Sequence, residues 1–321
     1  MRYHELSDTG LSPSVIYLGT AEMGSVMSRA ESFEMLDFFC YHGGNFLDTA
    51  HVYGDQVCKE KGASERTIGE WIHQRKCREK VILATKGGHP RFESMQVPRL
   101  SPKEIQTDLH ESLHNLKTDV IDVYWLHRDD PNRPAQEIVE TLESFVSSGH
   151  IRYYGLSNWH LPRLKEAVYC SPKHLLGSQL LWSLADPRMD VIGDPAIAAM
   201  DEETWVFHRD MGLAAVPYTA QARGFFTKLA HGGEDSLQDW VKATYFTQKN
   251  LGRYDRLHAL SQETGISIEA LVPAYLINQQ VTTVPVVSSR NLRQLSKTLE
   301  AGDVVLTPDQ VSYLKTGEPK R

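Results

Sequence analysis

The sequence predicts an α/β protein, a (β/α)8 TIM barrel with a short N-terminal β-hairpin. Strand-like apolar runs alternate with helix-like segments in about eight successive units, and such alternation requires parallel strands joined by right-handed helical crossovers. The length of 321 residues suits such a barrel, which typically takes about 250 residues and more with insertions. No G-x-G-x-x-G turn follows an early strand, which disfavours the alternative, a doubly wound open sheet.

The N-terminal segment predicts the hairpin. Residues 2–6 and 15–18 are two strand-like runs, and the Ser7-Asp8-Thr9-Gly10 sequence between them is typical of a turn. The alternation begins after this hairpin. Residues 29–41 carry apolar side chains at helical spacing and end before a glycine pair, and residues 45–48 follow as a short buried strand.

The later units have clear start and stop signals. Ser101-Pro102-Lys103-Glu104 supplies an N-cap, a proline at the first helical position and a glutamate three residues after the cap, so a helix begins there. The other strands are predicted at 81–86, 120–127, 151–157, 175–180, 213–217 and 281–285, and the other helices at 64–73, 134–148, 161–169, 201–210, 253–264, 268–278 and 291–301. Residues 219–250 show no clear element and predict a loop over one end of the barrel. No linker divides the chain, so we expect residues 1–321 to form a single domain.

Composition excludes several classes of partner. The chain has 34 Lys and Arg against 41 Asp and Glu, a net charge of −7, which provides no electrostatic surface for nucleic acid or an anionic membrane. The N-terminus has no apolar signal segment, and no apolar run is long enough to span a membrane. The four cysteines form no C-x-x-C pair. We therefore expect a cytoplasmic protein with a small-molecule substrate, and the sequence leaves open whether it is a monomer or a homo-oligomer.

Polar side chains follow the predicted strands where the strands end. They are Asp48 with Tyr53 just beyond, Lys86, His127, Ser157 and Asn158, Gln179, Tyr218, and residues 288–290. One charged residue at a strand end is ordinarily solvated. In a barrel of this kind, however, the carboxyl ends of all the strands meet at one mouth, where active sites lie. The convergence of these residues therefore predicts an active site.

The residue types favour proton delivery to a carbonyl as a hydride arrives. The phenol of Tyr53 is a weak acid at neutral pH, and a nearby ammonium such as Lys86 lowers a phenol's pKa. Asp48 can hold Lys86 charged and oriented, and His127 can donate a hydrogen bond to a substrate oxygen. No serine or cysteine accompanies a base in this set, so acyl transfer has no evident nucleophile.

Three segments resemble signatures of the aldo-keto reductase family. They are residues 44–54 (GNFLDTAHVYG), 121–127 (IDVYWLH) and 154–158 (YGLSN). The resemblance extends from the N-terminal hairpin to about residue 299. It implies a (β/α)8 barrel whose catalytic tetrad is Asp48, Tyr53, Lys86 and His127.

The resemblance also implies contacts with a nicotinamide cofactor. Ser157, Asn158 and Gln179 match residues that bind the carboxamide, and Tyr218 matches the aromatic residue that stacks on the nicotinamide ring. The remaining matches are Gln221, Arg223 and Gly224 in a loop over the pyrophosphate, Ser288, Arg290 and Gln294 around the adenosine phosphate, and Gly19 and Thr20 beside Asp48.

Two positions depart from the family pattern at the adenosine end. Ser288 stands where many members have glycine, and Thr298 stands where many have an asparagine that touches the adenine. Arg290 remains, and its guanidinium can pair with a 2′-phosphate. We therefore expect NADP (as NADPH) as the cofactor, with NAD still possible. The implied reaction is reduction of an aldehyde or ketone to the alcohol; the alternative is a cofactor-binding redox sensor with little turnover.

Residues 110–114 (HESLH) match the H-E-x-x-H zinc-protease motif, with Glu137 or Glu140 as a conceivable third ligand. The same helix carries an apolar stripe at Ile105, Leu109, Leu113 and Leu116, as an outer barrel helix does. The two histidines flank this stripe. We therefore predict no metal site.

The substrate pocket is the least defined part of the prediction. Met23, Arg128, Trp159 and Trp182 are its candidate residues, because they lie near the predicted catalytic and cofactor positions. The two tryptophans could equally pack as core anchors. Arg128 could begin a solvated loop together with Asp129 and Asp130. If these charges face the pocket, they favour a polar substrate such as a sugar-derived carbonyl.

Overall fold

Eight parallel strands form a nearly closed barrel in this computed structural model, which describes residues 1–6, 9–170 and 173–318. The strands are β1 (Tyr17–Gly19), β2 (Phe46–Asp48), β3 (Ile82–Gly87), β4 (Ile121–Leu126), β5 (Ile151–Ser157), β6 (Leu175–Leu181), β7 (Ala214–Tyr218) and β8 (Val286–Val287). They are hydrogen-bonded in the order β7-β6-β5-β4-β3-β2-β1-β8. The predicted fold class is confirmed.

Helices connect the strands and cover the outside of the barrel. In the described ranges they are α1 (Arg29–Tyr41), α2 (Ala63–Arg75), α3 (Pro102–Leu116), α4 (Ala135–Ser147), α5 (Leu161–Tyr169), α6 (Met189–Ile192), α7 (Glu202–Met211), α8 (Phe225–Gly232), α9 (Asp239–Tyr245), α10 (Gln248–Thr264), α11 (Ile268–Ile277), α12 (Leu292–Leu299) and α13 (Pro308–Thr316). The predicted start of α3 is correct: the Ser101 hydroxyl accepts from the Glu104 amide, and the Glu104 carboxylate accepts from the Ser101 amide. None of these helices combines the length and apolar character that crossing a lipid bilayer requires.

Strand alternation separates an inner core from an outer one. Val123 and Trp125 of β4 belong to the cluster inside the barrel, whereas Tyr124 between them packs outward against the helices. Phe46 of β2 and Ala84 of β3 also belong to the inner cluster. Two residues further along each strand, the side chains of Asp48, Lys86 and His127 lie above this apolar plug. Side-chain alternation therefore aims the three polar groups at the barrel mouth.

The N-terminal hairpin forms only in part. Within the described residues it consists of two antiparallel bridges, Tyr3 with Ser14 and Leu6 with Leu11; the predicted turn residues Ser7 and Asp8 lie outside the described ranges. Residues 17–18, which we predicted for the hairpin, belong to β1 of the barrel instead. Leu6 and Leu11 pack into the inner core cluster, so the hairpin seals the end of the barrel opposite the mouth.

The predicted loop at 219–250 is wrong. This segment contains α8, α9 and the start of α10, whose first turn is capped by the Thr247 hydroxyl. Phe225, Phe226 and Tyr245 are buried and anchor these short helices to the core. Helices of seven or eight residues have too few turns to show a clear periodic pattern.

The last strand is displaced from its predicted position at 281–285. Residues 282–284 exchange hydrogen bonds with Ala215 of β7, whereas Val286 and Val287 pair with β1. Pro285 lies between the two parts and has no N–H to donate. The chain therefore closes the barrel in two short steps, and only the second forms a strand. The short helix α6 and the C-terminal helix α13 were not predicted.

Candidate active site

A buried ion pair lies at the centre of the barrel mouth. The Nζ of Lys86 is 2.5 Å from Oδ2 of Asp48 and 2.7 Å from the carbonyl oxygen of Thr49. The other oxygen of Asp48, Oδ1, accepts a hydrogen bond of 2.6 Å from the amide of Gln179. Both charged side chains are 3% exposed. Burial by itself lowers the pKa of Lys86, but Asp48 and Tyr53 raise it above the ordinary value, so the lysine stays charged.

Tyr53 lies in the turn that follows β2, with its ring between Lys86 and His127. Nζ of Lys86 is 4.9 Å from the ring centroid, and the His127 ring meets it edge-on at 5.9 Å. Burial raises the pKa of Tyr53 above its ordinary value, and the Lys86 ammonium only partly offsets this. The expected net lowering by Lys86 is therefore not found. Tyr53 therefore keeps the proton of its phenol at neutral pH.

His127 is a neutral imidazole. Burial lowers its pKa well below the ordinary value, and the nearby His89, Lys86 and Arg128 lower it further. The ring of His89 stands nearly perpendicular to it, with centroids 4.7 Å apart. A neutral imidazole has one N–H to donate. His127 can therefore orient a substrate oxygen by hydrogen bonding without adding charge.

One large cavity connects these residues with the predicted cofactor positions. Its volume is about 1100 Å³. Its lining includes Gly19, Thr20, Asp48, Tyr53, Lys86, His127, Ser157, Asn158, Gln179, Tyr218, Gln221, Arg223, Gly224, Ser288, Arg290 and Gln294. The structure thus brings together every residue that we proposed for catalysis or cofactor binding.

Asn158 organises the part of the cavity beside the tetrad. It has a left-handed backbone conformation with φ of 59°, which asparagine tolerates better than most residues. Its Oδ1 accepts a 2.6 Å hydrogen bond from the Tyr218 hydroxyl, and its Nδ2 donates to the carbonyl of His127 at 3.3 Å. The result is an amide and an aromatic ring held next to His127.

The far end of the cavity gathers cations. Arg223, Lys228, Arg290 and Arg293 line it. Burial lowers the pKa of Lys228, and the positive charges of Arg290 and Arg223 lower it further. Like charges held together in this way suit an anionic ligand such as a phosphate. Lys228 and Arg293 were not among the predicted residues, although Arg293 follows the predicted Arg290 by three residues and was a usable signal.

Gln221 links the segment after β7 to the residues around β8 and α12. Its Nε2 donates to the Thr298 hydroxyl at 3.1 Å, and its Oε1 accepts from the Ser288 amide at 3.3 Å. Thr298 and Ser288 are the two departures from the family pattern. Both are engaged by the same glutamine, which joins the two sides of the cavity.

The four candidate pocket residues separate into two pairs. Met23 and Arg128 line the large cavity, whereas Trp159 and Trp182 are not among its described lining residues. Trp159 is buried beneath the guanidinium of Arg163 and lines a separate cavity of about 370 Å³. Trp182 packs against the outer core cluster. The tryptophans thus follow the alternative that we gave for them, packing as anchors.

The two carboxylates after Arg128 turn away from the cavity. Asp129 pairs with Arg163 of α5, whose Nε lies 3.0 Å from its Oδ2, and Asp130 lies 3.9 Å from Nε of Arg133. These ion pairs tie the segment after β4 to neighbouring helices. Arg128 is the charged residue of this run that faces the cavity.

The side chains of the H-E-x-x-H segment contact other parts of the fold. Glu111 accepts a hydrogen bond from, or shares a proton with, His51, with 2.7 Å between Oε2 and Nε2. His110 packs on His150 with ring centroids 5.5 Å apart. Among the described residues, no three His, Cys, Asp or Glu side chains gather in an arrangement that could hold a metal ion.

A model of the aldo/keto reductase family matches residues 15–317. The chain belongs to the aldo-keto reductase family. It is an NAD(P)H-dependent oxidoreductase, consistent with the buried ion pair, the phenol and the long cavity of the structure.

Curated relatives cover nearly the whole of this aldo-keto reductase. It is 30% identical to the uncharacterized oxidoreductase YrpG of Bacillus subtilis, over 98% of this chain and 95% of the relative. It is 27% identical to an aryl-alcohol dehydrogenase [NADP(+)] of Phanerodontia chrysosporium, over 97% of this chain and 84% of the relative. A norsolorinic acid reductase of Aspergillus flavus is also 27% identical, over 99% and 81%.

A solved structure supports the fold independently. The chain resembles a thermostable aldo-keto reductase in complex with the inhibitor epalrestat, with a TM-score of 0.74 and 23% sequence identity. The match covers 98% of this chain and 99% of the other. The two chains therefore share the same barrel fold.

Proposed function

We propose that this aldo-keto reductase uses NADPH to reduce an aldehyde or ketone to the alcohol, with Tyr53 as the proton donor. The observation that carries the proposal is the protonated phenol of Tyr53 beside the Asp48–Lys86 ion pair, at one end of a cavity whose other end is cationic. The nicotinamide ring of NADPH would need the first environment and its phosphates the second, and one continuous cavity would have to hold both.

The residues of the cavity fit this cofactor. Ser157, Asn158, Gln179 and Tyr218 would hold the nicotinamide end, where their amides, hydroxyl and ring line the wall. Arg223, Lys228, Arg290 and Arg293 would hold the phosphates, since phosphate oxygens accept hydrogen bonds from guanidinium and ammonium groups. The gathered cations favour NADP over NAD, because only NADP carries a 2′-phosphate at the adenosine end. The aryl-alcohol dehydrogenase relative, whose name specifies NADP(+), agrees with this choice.

When bound, NADPH supplies a hydride to the carbonyl carbon. As the C–H bond forms, the electron pair of the C=O π bond moves to the carbonyl oxygen, which takes the proton of the Tyr53 hydroxyl. His127 donates a hydrogen bond that positions the same oxygen. The Lys86 ammonium, held by Asp48, stabilises the phenolate that remains on Tyr53. The phenolate regains its proton from solvent before the next turnover.

The test is the loss of reduced-nicotinamide absorbance with NADPH and separately NADH, across benzaldehydes, aliphatic aldehydes, ketones and sugar carbonyls. Turnover that is faster with NADPH supports the proposal. Turnover that is faster with NADH would overturn the cofactor assignment. Tight NADPH binding without turnover of any carbonyl would instead favour a redox-sensing subunit.

A further inference from the structure

Arg128 lies at the reacting end of the cavity, directly after the catalytic His127. Its side chain lines the cavity and is only 13% exposed. A guanidinium keeps its charge under all ordinary conditions. The neighbouring imidazoles of His127 and His89 are neutral, since burial lowers the pKa of both. Arg128 thus places a permanent positive charge beside a neutral hydrogen-bond donor.

The guanidinium of Arg128 is held by a carboxylate from a distant part of the chain. Its Nη2 lies 2.9 Å from Oδ2 of Asp194, a residue of the segment between α6 and α7. Asp194 is itself fixed, because its Oδ1 accepts from the amide of Ala196 at 2.9 Å. The same segment is bonded to the site at Ala198, whose amide donates to Oδ1 of Asn158 at 3.3 Å. Arg128 therefore has a defined position rather than a mobile one.

The ion pair leaves part of the guanidinium without a partner. In the described part of the chain, Nη1 of Arg128 is buried and makes no hydrogen bond. A buried donor without an acceptor is unfavourable, and a charged one more so. Guanidinium groups bind carboxylates with good geometry through two parallel hydrogen bonds. The arrangement is suited to an anionic group that enters the cavity next to the carbonyl.

The charges around this position allow an anion to bind. Lys86 is neutralised by Asp48 at 2.5 Å, and Asp129 is turned towards Arg163 of α5. Asp194, 35% exposed, is the carboxylate that contacts Arg128. An incoming carboxylate would therefore share the guanidinium with one partially solvated acid.

We propose that Arg128, oriented by Asp194, selects carbonyl substrates that carry a carboxylate close to the reacting carbonyl. This inference rests on the proposed function and refines it, because it names the substrate class of the same site. Arg128 is a substrate-binding residue in this proposal, and Asp194 is a positioning residue. The reaction at the carbonyl carbon is unchanged.

The first experiment compares matched substrates that differ in charge. The 2-, 3- and 4-carboxybenzaldehydes are compared with their methyl esters, which have similar size and no charge, at saturating NADPH. For at least one isomer, kcat/KM should be higher for the acid by about tenfold or more, as expected for a charge-assisted hydrogen bond. A ratio of one or below for every isomer would overturn the proposal.

Variants then assign that ratio to the two residues. Arg128→Met removes the charge at similar length and should bring the ratio close to one, whereas Arg128→Lys should retain part of it. Asp194→Asn keeps an acceptor that can position Arg128 but removes the competing charge, so it should raise the ratio; a ratio that falls to one would contradict this role. Arg209→Met is the matched control, because Arg209 is an exposed residue of α7 paired with its neighbour Asp210. An unchanged ratio in Arg128→Met would contradict the proposal.

A binding measurement keeps this inference separate from the proposed function. Calorimetric titration of the NADPH-loaded protein with benzoate and with the isosteric amide benzamide requires no turnover. We expect wild type to bind benzoate more tightly and Arg128→Met to lose this difference. If no carbonyl is reduced but the benzoate preference depends on Arg128, the proposed reaction fails and the anion site stands. If carbonyls are reduced but benzoate and benzamide bind equally to wild type, the proposed reaction stands and the anion site fails.

Discussion

The side chains at the barrel mouth differ in their protonation states. Lys86 remains an ammonium because Asp48 lies 2.5 Å away, Tyr53 remains a phenol because burial raises its pKa, and His127 remains neutral because burial lowers its pKa. Burial acts in opposite directions on a phenol and an imidazole, since it disfavours the charged form of each. The same buried environment therefore keeps the phenol protonated and the imidazole neutral.

Tyr53→Phe is expected to lower kcat for carbonyl reduction by about 10²–10⁴-fold, the usual contribution of a positioned acid–base group. The phenylalanine keeps the ring that contacts Lys86 and His127, so NADPH binding should be retained. Initial rates measure the first quantity, and nicotinamide fluorescence measures the second. Turnover equal to wild type would rule out Tyr53 as the donor.

The rate of reduction should depend on pH through Tyr53 and not through His127. Because Tyr53 must be protonated to donate and its pKa lies above the ordinary value of 10.0, kcat/KM should fall only at strongly alkaline pH. The pKa of His127 lies well below 6.5, so no change is expected across the neutral range. A decrease near pH 6.5 that disappears in His127→Gln would show that a protonated imidazole acts instead. The profile is measured with the carbonyl varied at saturating NADPH.

Secondary-structure elements determine where these side chains can point. In β2, β3 and β4 the residues two positions before Asp48, Lys86 and His127 pack inside the barrel, and alternation places the polar groups on the same side. Helices also help to fix the segments that carry these side chains, and their capped ends determine where each helix begins. Ser101 and Glu104 start α3, and this helix holds Asp108, which accepts from the amide of Gly88 at 2.9 Å. Helix capping thus supports the segment that follows Lys86.

Ser101→Ala should lower the free energy of unfolding by about 1 kcal/mol, the typical cost of losing an N-cap side chain. The hydroxyl accepts from the Glu104 amide and donates to the Glu104 carboxylate at 2.6 Å, so both contacts are lost. Urea unfolding followed by circular dichroism measures the change. Lys103→Ala, on the same turn and exposed, is the control and should stay within about 0.5 kcal/mol of wild type. Equal stability of Ser101→Ala and this control would contradict the capping argument.

At the scale of the whole molecule, the barrel is sealed at one end and open at the other. Leu6 and Leu11 of the N-terminal hairpin pack under the inner core, while the cavity of about 1100 Å³ occupies the mouth. Its wall is shared by β1, β7, β8, α8 and α12, so residues from both halves of the chain contribute. A ligand that fills this cavity connects elements far apart in sequence and should stabilise the whole fold.

NADPH should therefore raise the unfolding temperature more than NADH does at equal concentration. Binding to the folded state alone adds about 2.7 kcal/mol when the ligand is at 100 times its Kd. Arg290→Leu should reduce the stabilisation by NADPH and leave that by NADH nearly as in wild type, because it removes the partner that we propose for the 2′-phosphate. Differential scanning fluorimetry with both cofactors measures this. Equal loss for the two cofactors would place Arg290 elsewhere on the ligand.

The amino-acid sequence by itself determined the barrel, most of its strands and the polar residues at strand ends that the structure brings together in one cavity. Strand alternation, helix caps such as Ser101 and polar residues at strand ends are local features, and they are visible wherever an element is long enough to repeat. The sequence did not reveal α8 and α9, because helices this short do not show a clear hydrophobic periodicity.

Only the tertiary structure decided which neighbours of the predicted site face the cavity. Arg128 faces it and Asp129 does not, because Asp194 holds the first and Arg163 the second. Trp159 follows Asn158 directly and yet lines a different cavity. The direction of the Tyr53 pKa shift was decided in the same way, since burial outweighs the effect of Lys86. These outcomes depend on contacts between residues distant in sequence, and a one-dimensional pattern does not contain the geometry of such contacts.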